Sequence, residues 1–413
     1  MSEKCTHGVI FDTLCAWCGK DLGPLKSTVA FPHSRSITFS ETEVKNVVND
    51  HVAHMIKSKK LSLLIHMEQV ILDAINVLYL PKMENTELGE NEFIVDVNTK
   101  FKVVLRPYLK EFLESLHDKF EMTLFTLNSH EFAAKILEKI DPQNKYFNTR
   151  IMAPNSMIER NISKMYYDSS HLMVILDVSS QNWKDVNGFP VEGFIEVSPF
   201  VAFGETPRAP HFPILPPKYS DYFEKKNDKV LTSLSTMLLK IYDEFFNHPG
   251  EALLDALQNV NGSILENCRI CISETLCPFD HHYFMLLNKY LSKLGASFNE
   301  KYDPSITHVI ADSDCALVKE AQEYNGVHII SFDWLIESCT NYCRCDEKNY
   351  SIPGIVSPTQ GQKEIEIPAS DKELSSSEFE RMLNDDSNQE TTSSDDDEEE
   401  SDDRAQETFE IEK

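Results

Sequence analysis

Apolar and polar positions alternate along this chain in two rhythms, one of strand length and one of helical period. Leu61-Ser-Leu-Leu-Ile65 and Val70–Leu80 are apolar runs of strand character, and residues 81–91 are a polar excursion between them and the β-rich stretch 95–105. Residues 106–120 then place Leu109, Phe112, Leu113 and Leu116 on one stripe, the i, i+3, i+4, i+7 spacing of a helix, with Pro107 suited to its first turn. Residues 121–127 read as a strand, 130–141 as a second amphipathic helix and 171–178 as another buried strand. Strands alternating with helices predict a parallel sheet covered on both faces.

The pattern then breaks at five prolines within residues 206–218, which predict a semi-rigid linker. A helix is expected after it, with Asp228 as N-cap and Leu231, Leu234, Leu238, Ile241 and Phe245 on one face. From about Ile264 a second α/β rhythm runs to about Pro353. Residues 25–58, before the first domain, read as a polar connection.

Charge changes this picture at one end. The chain carries 39 Lys and Arg against 67 Asp and Glu, a net of −28 over 413 residues. Residues 371–413 hold 18 of the acids and 4 of the bases, half of that excess in a tenth of the chain. Ser, Asp and Glu with few aromatics predict a disordered tail over 354–413. Such a balance argues against direct DNA binding, since the phosphate backbone repels an acidic surface, and favours partners with basic faces. No apolar run approaches the roughly 20 residues of a membrane span, and the opening MSEKCTHG lacks the apolar centre of a secretory signal. No membrane role and an intracellular setting are expected, so the ten cysteines serve burial or metal binding rather than disulfides.

Cys5-x-His7 and Cys15-x-x-Cys18 supply four soft ligands within fourteen residues, the number and type for a closed tetrahedral zinc knot over 1–24. A flexible terminus with reduced thiols is the alternative.

Four segments, in this order and spacing, carry a resemblance. They are Leu61–Val70; Val104-Leu-Arg-Pro107 with Leu124-Phe-Thr-Leu127; Asp141-Pro through Lys145-Tyr-Phe to Thr149-Arg-Ile151; and Met173–Asp177 with Trp183, closed by Glu196-Val-Ser-Pro-Phe200. Together they resemble the haloacid-dehalogenase-type phosphatases of the RNA polymerase II C-terminal domain. That family places DxDxT on its first loop: one carboxylate attacks phosphorus and helps hold Mg²⁺, the other moves the proton. Carried over by position, the nucleophile falls on His66, the acid/base on Glu68 and the threonine on Val70. The Mg²⁺-holding acidic pair falls on Asp177 and Val178. Thr126 matches the phosphate-binding hydroxyl, and Arg160, or else Lys164, the phosphate-neutralising cation. The resemblance thus implies a site whose phosphate grip partly survives and whose metal and nucleophile are lost. Phosphoryl transfer through His66, or residual activity with a metal on Asp177 and Glu68, are the competing readings.

The second rhythm resembles a BRCT domain, through Leu294-Gly-Ala296, Thr307-His-Val-Ile310 and Asp333-Trp-Leu335. Trp334 is expected in its core. In phosphopeptide-binding members of that class a serine at the Ser273 position and a lysine about one position from Lys319 meet phosphate; here Glu274 stands where glycine is usual, and a protein-docking surface is the default expectation. The family's acidic tail docks on the transcription factor TFIIF; here Phe379, Met382 and Leu383 have helical spacing among acids.

The expected architecture is α/β: a haloacid-dehalogenase-like parallel-sheet domain over 59–205, a Pro-rich linker and helix over 206–262, a small α/β BRCT domain over 263–353, and the acidic tail. By resemblance the chain is nuclear, binds the polymerase II C-terminal domain, and is a divergent, non-hydrolytic family member. An active Mg²⁺-dependent phosphatase and a BRCT adaptor with an inert first domain are the alternatives.

Overall fold

The computed structural model describes residues 5–23, 28–31, 34–79, 88–148, 150–153, 170–179, 183, 191, 193–203, 228–276, 281–355 and 357. The Pro-rich linker, Arg160, Lys164 and the acidic tail lie outside these residues.

The N-terminal segment forms a four-stranded sheet from β1 (Val9–Phe11), β2 (Leu14–Cys15), β3 (Thr28–Phe31) and β4 (Ser34–Ser40), in the order β2-β1-β4-β3. It runs into α1 (Glu41–Ser58), whose N-cap Ser40 accepts a hydrogen bond from the Glu43 amide at 3.3 Å. Residues 25–58 are therefore not the polar connection that their composition suggests. The signal is the cap: Ser40 three residues before Glu43 marks a helix start. The apolar face behind it is thin, because Met55 is buried and Val52 packs beside it amid polar neighbours.

The first large core is built on β5 (Leu61–His66), β6 (Leu72–Asn76), β7 (Glu92–Val97), β8 (Thr99–Leu105), α2 (Leu109–Leu116), β9 (Phe120–Phe125), α3 (His130–Ile140), β10 (Ile151–Met152), β11 (Met173–Asp177) and β12 (Phe194–Glu196). Five of the strands make an all-parallel sheet in the order β10-β9-β5-β11-β12, and β6-β8-β7 form a separate antiparallel sheet. Every residue of β5 and β11 is buried, as a strand covered on both faces requires. The stripe Leu109, Phe112, Leu113 and Leu116 is buried as its spacing predicts, each such side chain contributing about 1.5–3 kcal/mol relative to exposure. Pro107 precedes the helix rather than opening it, because Tyr108, at φ 65°, is the N-cap.

Two further helices follow, α4 (Val230–Asn247) and α5 (Leu253–Gly262). Leu231, Leu234, Leu238 and Ile241 lie in the same core as β5 and α2, so α4 is a wall of the first domain rather than part of a linker. Asp228 sits one residue before the N-cap, Lys229. Its Oδ1 still accepts the Val230 amide at 3.0 Å, while Oδ2 pairs with Nε of the buried Arg106 at 2.9 Å.

The second α/β unit contains β13 (Arg269–Ile272), α6 (His281–Lys293), β14 (Ser297–Asn299), β15 (His308–Ile310), α7 (Ala316–Ala321), β16 (His328–Ile330) and α8 (Phe332–Thr340), with a parallel sheet ordered β14-β13-β15-β16. Trp334 is fully buried, stacks on His308 and donates from Nε1 to the Cys345 carbonyl at 2.8 Å. Gly295 has φ +85°, and a Cβ there would meet the Gly262 carbonyl oxygen at 1.8 Å. The glycine of Leu294-Gly-Ala296 thus lets α6 end against the end of α5. The Tyr342 hydroxyl donates to the Glu196 carbonyl, tying this unit to the edge strand β12 of the first sheet.

Candidate functional site

Parallel pairing brings the chemistry together. His66 pairs with Phe125, and Leu176 with Ile65, so His66, Thr126 and Asp177 emerge together at the carboxyl ends of β5, β9 and β11. That edge is where open α/β sheets carry their sites. Glu68 follows two residues after the strand.

These groups form one closed network. Nδ1 of His66 is 2.8 Å from Oδ1 of Asp177, and Nε2 of His66 is 3.1 Å from Oε2 of Glu68, close enough for an ion pair though not aligned as a hydrogen bond. Asp177 also accepts the Val178 amide at 2.5 Å on Oδ1 and the Trp183 Nε1–H at 2.7 Å on Oδ2. Oε1 of Glu68 accepts from the Thr126 hydroxyl and, at 2.7 Å, from Nδ2 of Asn128. The Phe125 ring packs on the imidazole with centroids 5.3 Å apart. His66 and Asp177 are buried, and the Glu68 side chain is about one quarter exposed.

The electrostatics follow from that geometry. Burial alone would push the His66 imidazole down, but Asp177 first and Glu68 second outweigh it and raise its pKa to about 9. Burial pushes the Glu68 carboxyl up; the pairing with His66 and the donors Thr126 and Asn128 overcome this and hold it below its ordinary value. The ring is an imidazolium between two carboxylates.

Set against the expected roles, the structure gathers His66, Glu68, Thr126 and Asp177 and leaves two positions aside. Val70 is buried under the loop, where its carbonyl accepts from Nη1 of Arg106 at 3.1 Å. Val178 contributes its backbone amide. Thr126, expected to grip phosphate, spends its hydroxyl proton on Glu68. The resemblance assigns no role to three further participants, although Arg106 and Trp183 lie in its segments. Trp183 and Asn128 anchor the two carboxylates, and Arg106 props the loop. The only sign of Asn128 in the sequence is its place two residues after Thr126 on a strand end.

The donor set does not fit the Mg²⁺ that the resemblance implies. Three of the four carboxylate oxygens of Asp177 and Glu68 already face N–H or O–H donors, and the fourth, Oε2 of Glu68, stands 3.1 Å from Nε2 of His66. Among the described residues His66, Glu68 and Asp177 are not one of the groups whose ligand atoms converge.

Cys5, His7, Cys15 and Cys18 are such a group, with ligand atoms all within 4.8 Å of one another. The Cys5 and Cys15 sulfurs are 3.6 Å apart, and Cys18 Sγ is 3.4 Å from Nδ1 of His7. Zn–S bonds of about 2.3 Å give tetrahedral edges of about 3.8 Å, so these residues fit a zinc ion, which would supply a structural crosslink. Hydrogen bonding from His7 and then the Cys18 and Trp17 amides lowers the Cys15 thiol to about 6.

In the second unit Ser273 is buried, with Oγ 2.9 Å from Thr275 Oγ1 and 3.6 Å from Cys315 Sγ. Thr275 donates to Asp312 at 3.0 Å, Lys319 lies 3.7 Å from Asp314, and Glu274 is exposed beside them. The two groups expected to meet phosphate are engaged elsewhere, in an acidic setting.

The comparisons with known proteins agree with this layout. Residues 68–200 match the NLI interacting factor-like phosphatase family, and residues 260–339 match the BRCA1 C Terminus (BRCT) domain. The chain therefore joins a phosphatase-type α/β domain to a BRCT domain. By sequence it is similar to proteins described as RNA polymerase II C-terminal domain phosphatases. An RNA polymerase II C-terminal domain phosphatase of Caenorhabditis elegans is 22% identical over 391 residues, which is 87% of this chain and 58% of that protein. A human phosphatase of the same description is 25% identical over 205 residues, 44% of this chain and 21% of its own length. This chain thus spans from about a fifth to under three-fifths of these relatives. The solved structure of Fcp1, an essential RNA polymerase II CTD phosphatase, superposes with a TM-score of 0.53 at 18% identity, covering 74% of this chain and 99% of that one.

Proposed function

We propose that this chain is a non-hydrolytic member of its family, which binds the transcription machinery in the nucleus without cleaving phosphoserine in the polymerase heptad repeats. One observation carries the reading: the residue at the nucleophile position is an imidazole held on both sides by carboxylates. A nucleophile needs a free electron pair, and both ring nitrogens of His66 face acceptors. Glu68, the one carboxylate at the acid/base position, is tied to His66, Thr126 and Asn128.

The net charge of −28 supports a partner with a basic face and argues against unaided DNA binding. No helix among the described residues is long and apolar enough to cross a membrane. The tail's Phe379, Met382 and Leu383 are our candidates for docking on TFIIF, on sequence spacing alone. The acidic setting of Ser273 and Lys319 favours a BRCT surface that docks protein rather than phosphate, which keeps the reading of a BRCT adaptor as the second choice. Zinc on Cys5, His7, Cys15 and Cys18 completes the proposal.

The test is hydrolysis of an aryl phosphate and of phosphorylated heptad peptide by the purified chain, with and without Mg²⁺. No turnover, with retained binding of the heptad peptide, is expected. Turnover abolished by His66→Ala or Glu68→Gln would overturn the proposal, and no peptide binding at all would favour the adaptor.

A further inference from the structure

We propose that the His66 ring is a built-in replacement for the divalent cation of this pocket, closing the site to Mg²⁺, and that one substitution at position 66 reopens it. The inference rests on the non-hydrolytic reading and says what took the metal's place.

The pocket poses a charge problem. Asp177 is buried and Glu68 mostly so, and both point at the same ring. Two carboxylates brought together in a low-dielectric site require a positive charge between them. In a metal-dependent pocket an ion supplies it. Here the ring does: Nδ1 is hydrogen-bonded to Asp177 at 2.8 Å and Nε2 lies 3.1 Å from Oε2 of Glu68, so the ring protonated on both nitrogens sets its charge between the two carboxylates. One positive charge remains short of two negative ones. The balance is met by fixed dipoles: the Val178 amide and Trp183 indole on Asp177, the Thr126 hydroxyl and Asn128 amide on Glu68.

Geometry excludes the two alternatives. A ring that merely filled space would not direct both nitrogens at carboxylates, and Phe125 already supplies the apolar contact. Nor is the ring a metal ligand, since ligand atoms must converge on a point. Asp177 and Glu68 meet different nitrogens of the ring, and the three residues form none of the converging groups among the described residues. Mg²⁺ needs oxygens at about 2.0–2.1 Å in a near-octahedral shell, and the ring occupies that volume. Aspartate at position 66 is shorter, removes the positive charge and adds a third oxygen donor facing Asp177 and Glu68.

The test uses the full chain, loaded with zinc, with Mn²⁺ as a paramagnetic stand-in for Mg²⁺. Electron paramagnetic resonance titration of the wild type and of Glu68→Gln should give the same Mn²⁺ uptake, because neither holds an ion in the pocket. His66→Asp should take up additional Mn²⁺, displaced by excess Mg²⁺, and its unfolding midpoint should rise by at least about 2 °C in saturating Mg²⁺. His66→Asn, which removes the charge without adding a carboxylate, should gain neither. Should His66→Asp fold only when Mg²⁺ is present, the proposal stands. Wild-type Mn²⁺ uptake that Glu68→Gln abolishes would overturn it, as would His66→Asp that gains no ion or stays unfolded with Mg²⁺. Metal-free hydrolysis by the wild type would sink the non-hydrolytic reading without altering the Mn²⁺ titration, so the two failures are distinguishable.

Discussion

Nδ1 of His66 lies 2.8 Å from Oδ1 of Asp177, across two neighbouring parallel strands and at the edge where the sheet would present its catalytic groups. Two residues 111 positions apart thus meet in a buried charged pair whose other side is Glu68. Whatever the site binds, it does so with both acidic groups already paired to the same ring.

A pair of this kind costs most when it is broken on one side. His66→Ala leaves Asp177 buried and uncompensated, so the chain should lose about 3–5 kcal/mol of stability. His66→Asn, which restores one donor, should lose less. Urea unfolding checks this, and a loss below about 1 kcal/mol for His66→Ala would mean that the pair is not held in solution.

The same pair predicts a pH dependence on the alkaline side. The folded pKa of His66 is raised, from 6.5 to about 9. Its contribution is therefore fully present below pH 6.5 and lost as pH rises through about 9. The facing titratable groups are Asp177 and Glu68; Glu68 is held below its ordinary value, so the imidazolium is what titrates across this window. Unfolding free energy should fall by up to about 3 kcal/mol between those limits, and that slope should vanish in His66→Asn. A wild type whose stability is flat from pH 6.5 to 9 would contradict the assignment.

Zinc removal should act locally. Cys5, His7, Cys15 and Cys18 bracket β1 and β2, and Ala16 and Val9 share a backbone hydrogen bond of 2.9 Å beneath them. The purified chain should carry about one zinc ion, as a closed four-ligand site does. Chelation or Cys18→Ser should raise amide exchange in residues 5–40 and leave β5, β9 and β11 protected. Equal loss of protection in both regions would show that the N-terminal sheet is part of the main core's cooperative unit.

Much of this is legible in the sequence because it depends on local period. The stripe on α2, the face of α4 and the all-apolar strands β5 and β11 are written in the spacing of their residues, and they fall where that spacing puts them. Position-by-position resemblance also reaches His66, Glu68, Thr126 and Asp177. What it does not reach are relations set by packing. Nothing near residue 126 says that its hydroxyl turns to Glu68 instead of outward, and nothing near residue 183 says that its indole proton ends on Asp177. Residues 25–58 read wrongly as a connection because α1 exposes most of its polar side chains and signals itself chiefly through the Ser40 cap. Asp228 falls one residue from its expected place because its carboxylate serves the Val230 amide and Arg106 together.

Gly295 offers a test of the BRCT unit that is independent of the first site. Its φ of +85° suits glycine, and the carbonyl oxygen of Gly262 stands 1.8 Å from where a Cβ would be. The obstacle is backbone at the end of α5, and it is fixed from the other side as well, because the Leu265 amide donates to the Leu294 carbonyl at 2.7 Å. A methyl group therefore cannot be met by a side-chain rotation; either α6 withdraws from α5 or the turn at Gly295 changes hand. Residues in disfavoured backbone regions cost about 1–3 kcal/mol even without a clash, so Gly295→Ala should destabilise the second unit by more than that range. Hydrogen exchange would show it as lost protection in β13, β14 and β15, with β5 and β11 of the first domain retaining theirs. A variant with unchanged protection in β13 would mean that the contact between the ends of α5 and α6 does not form in solution.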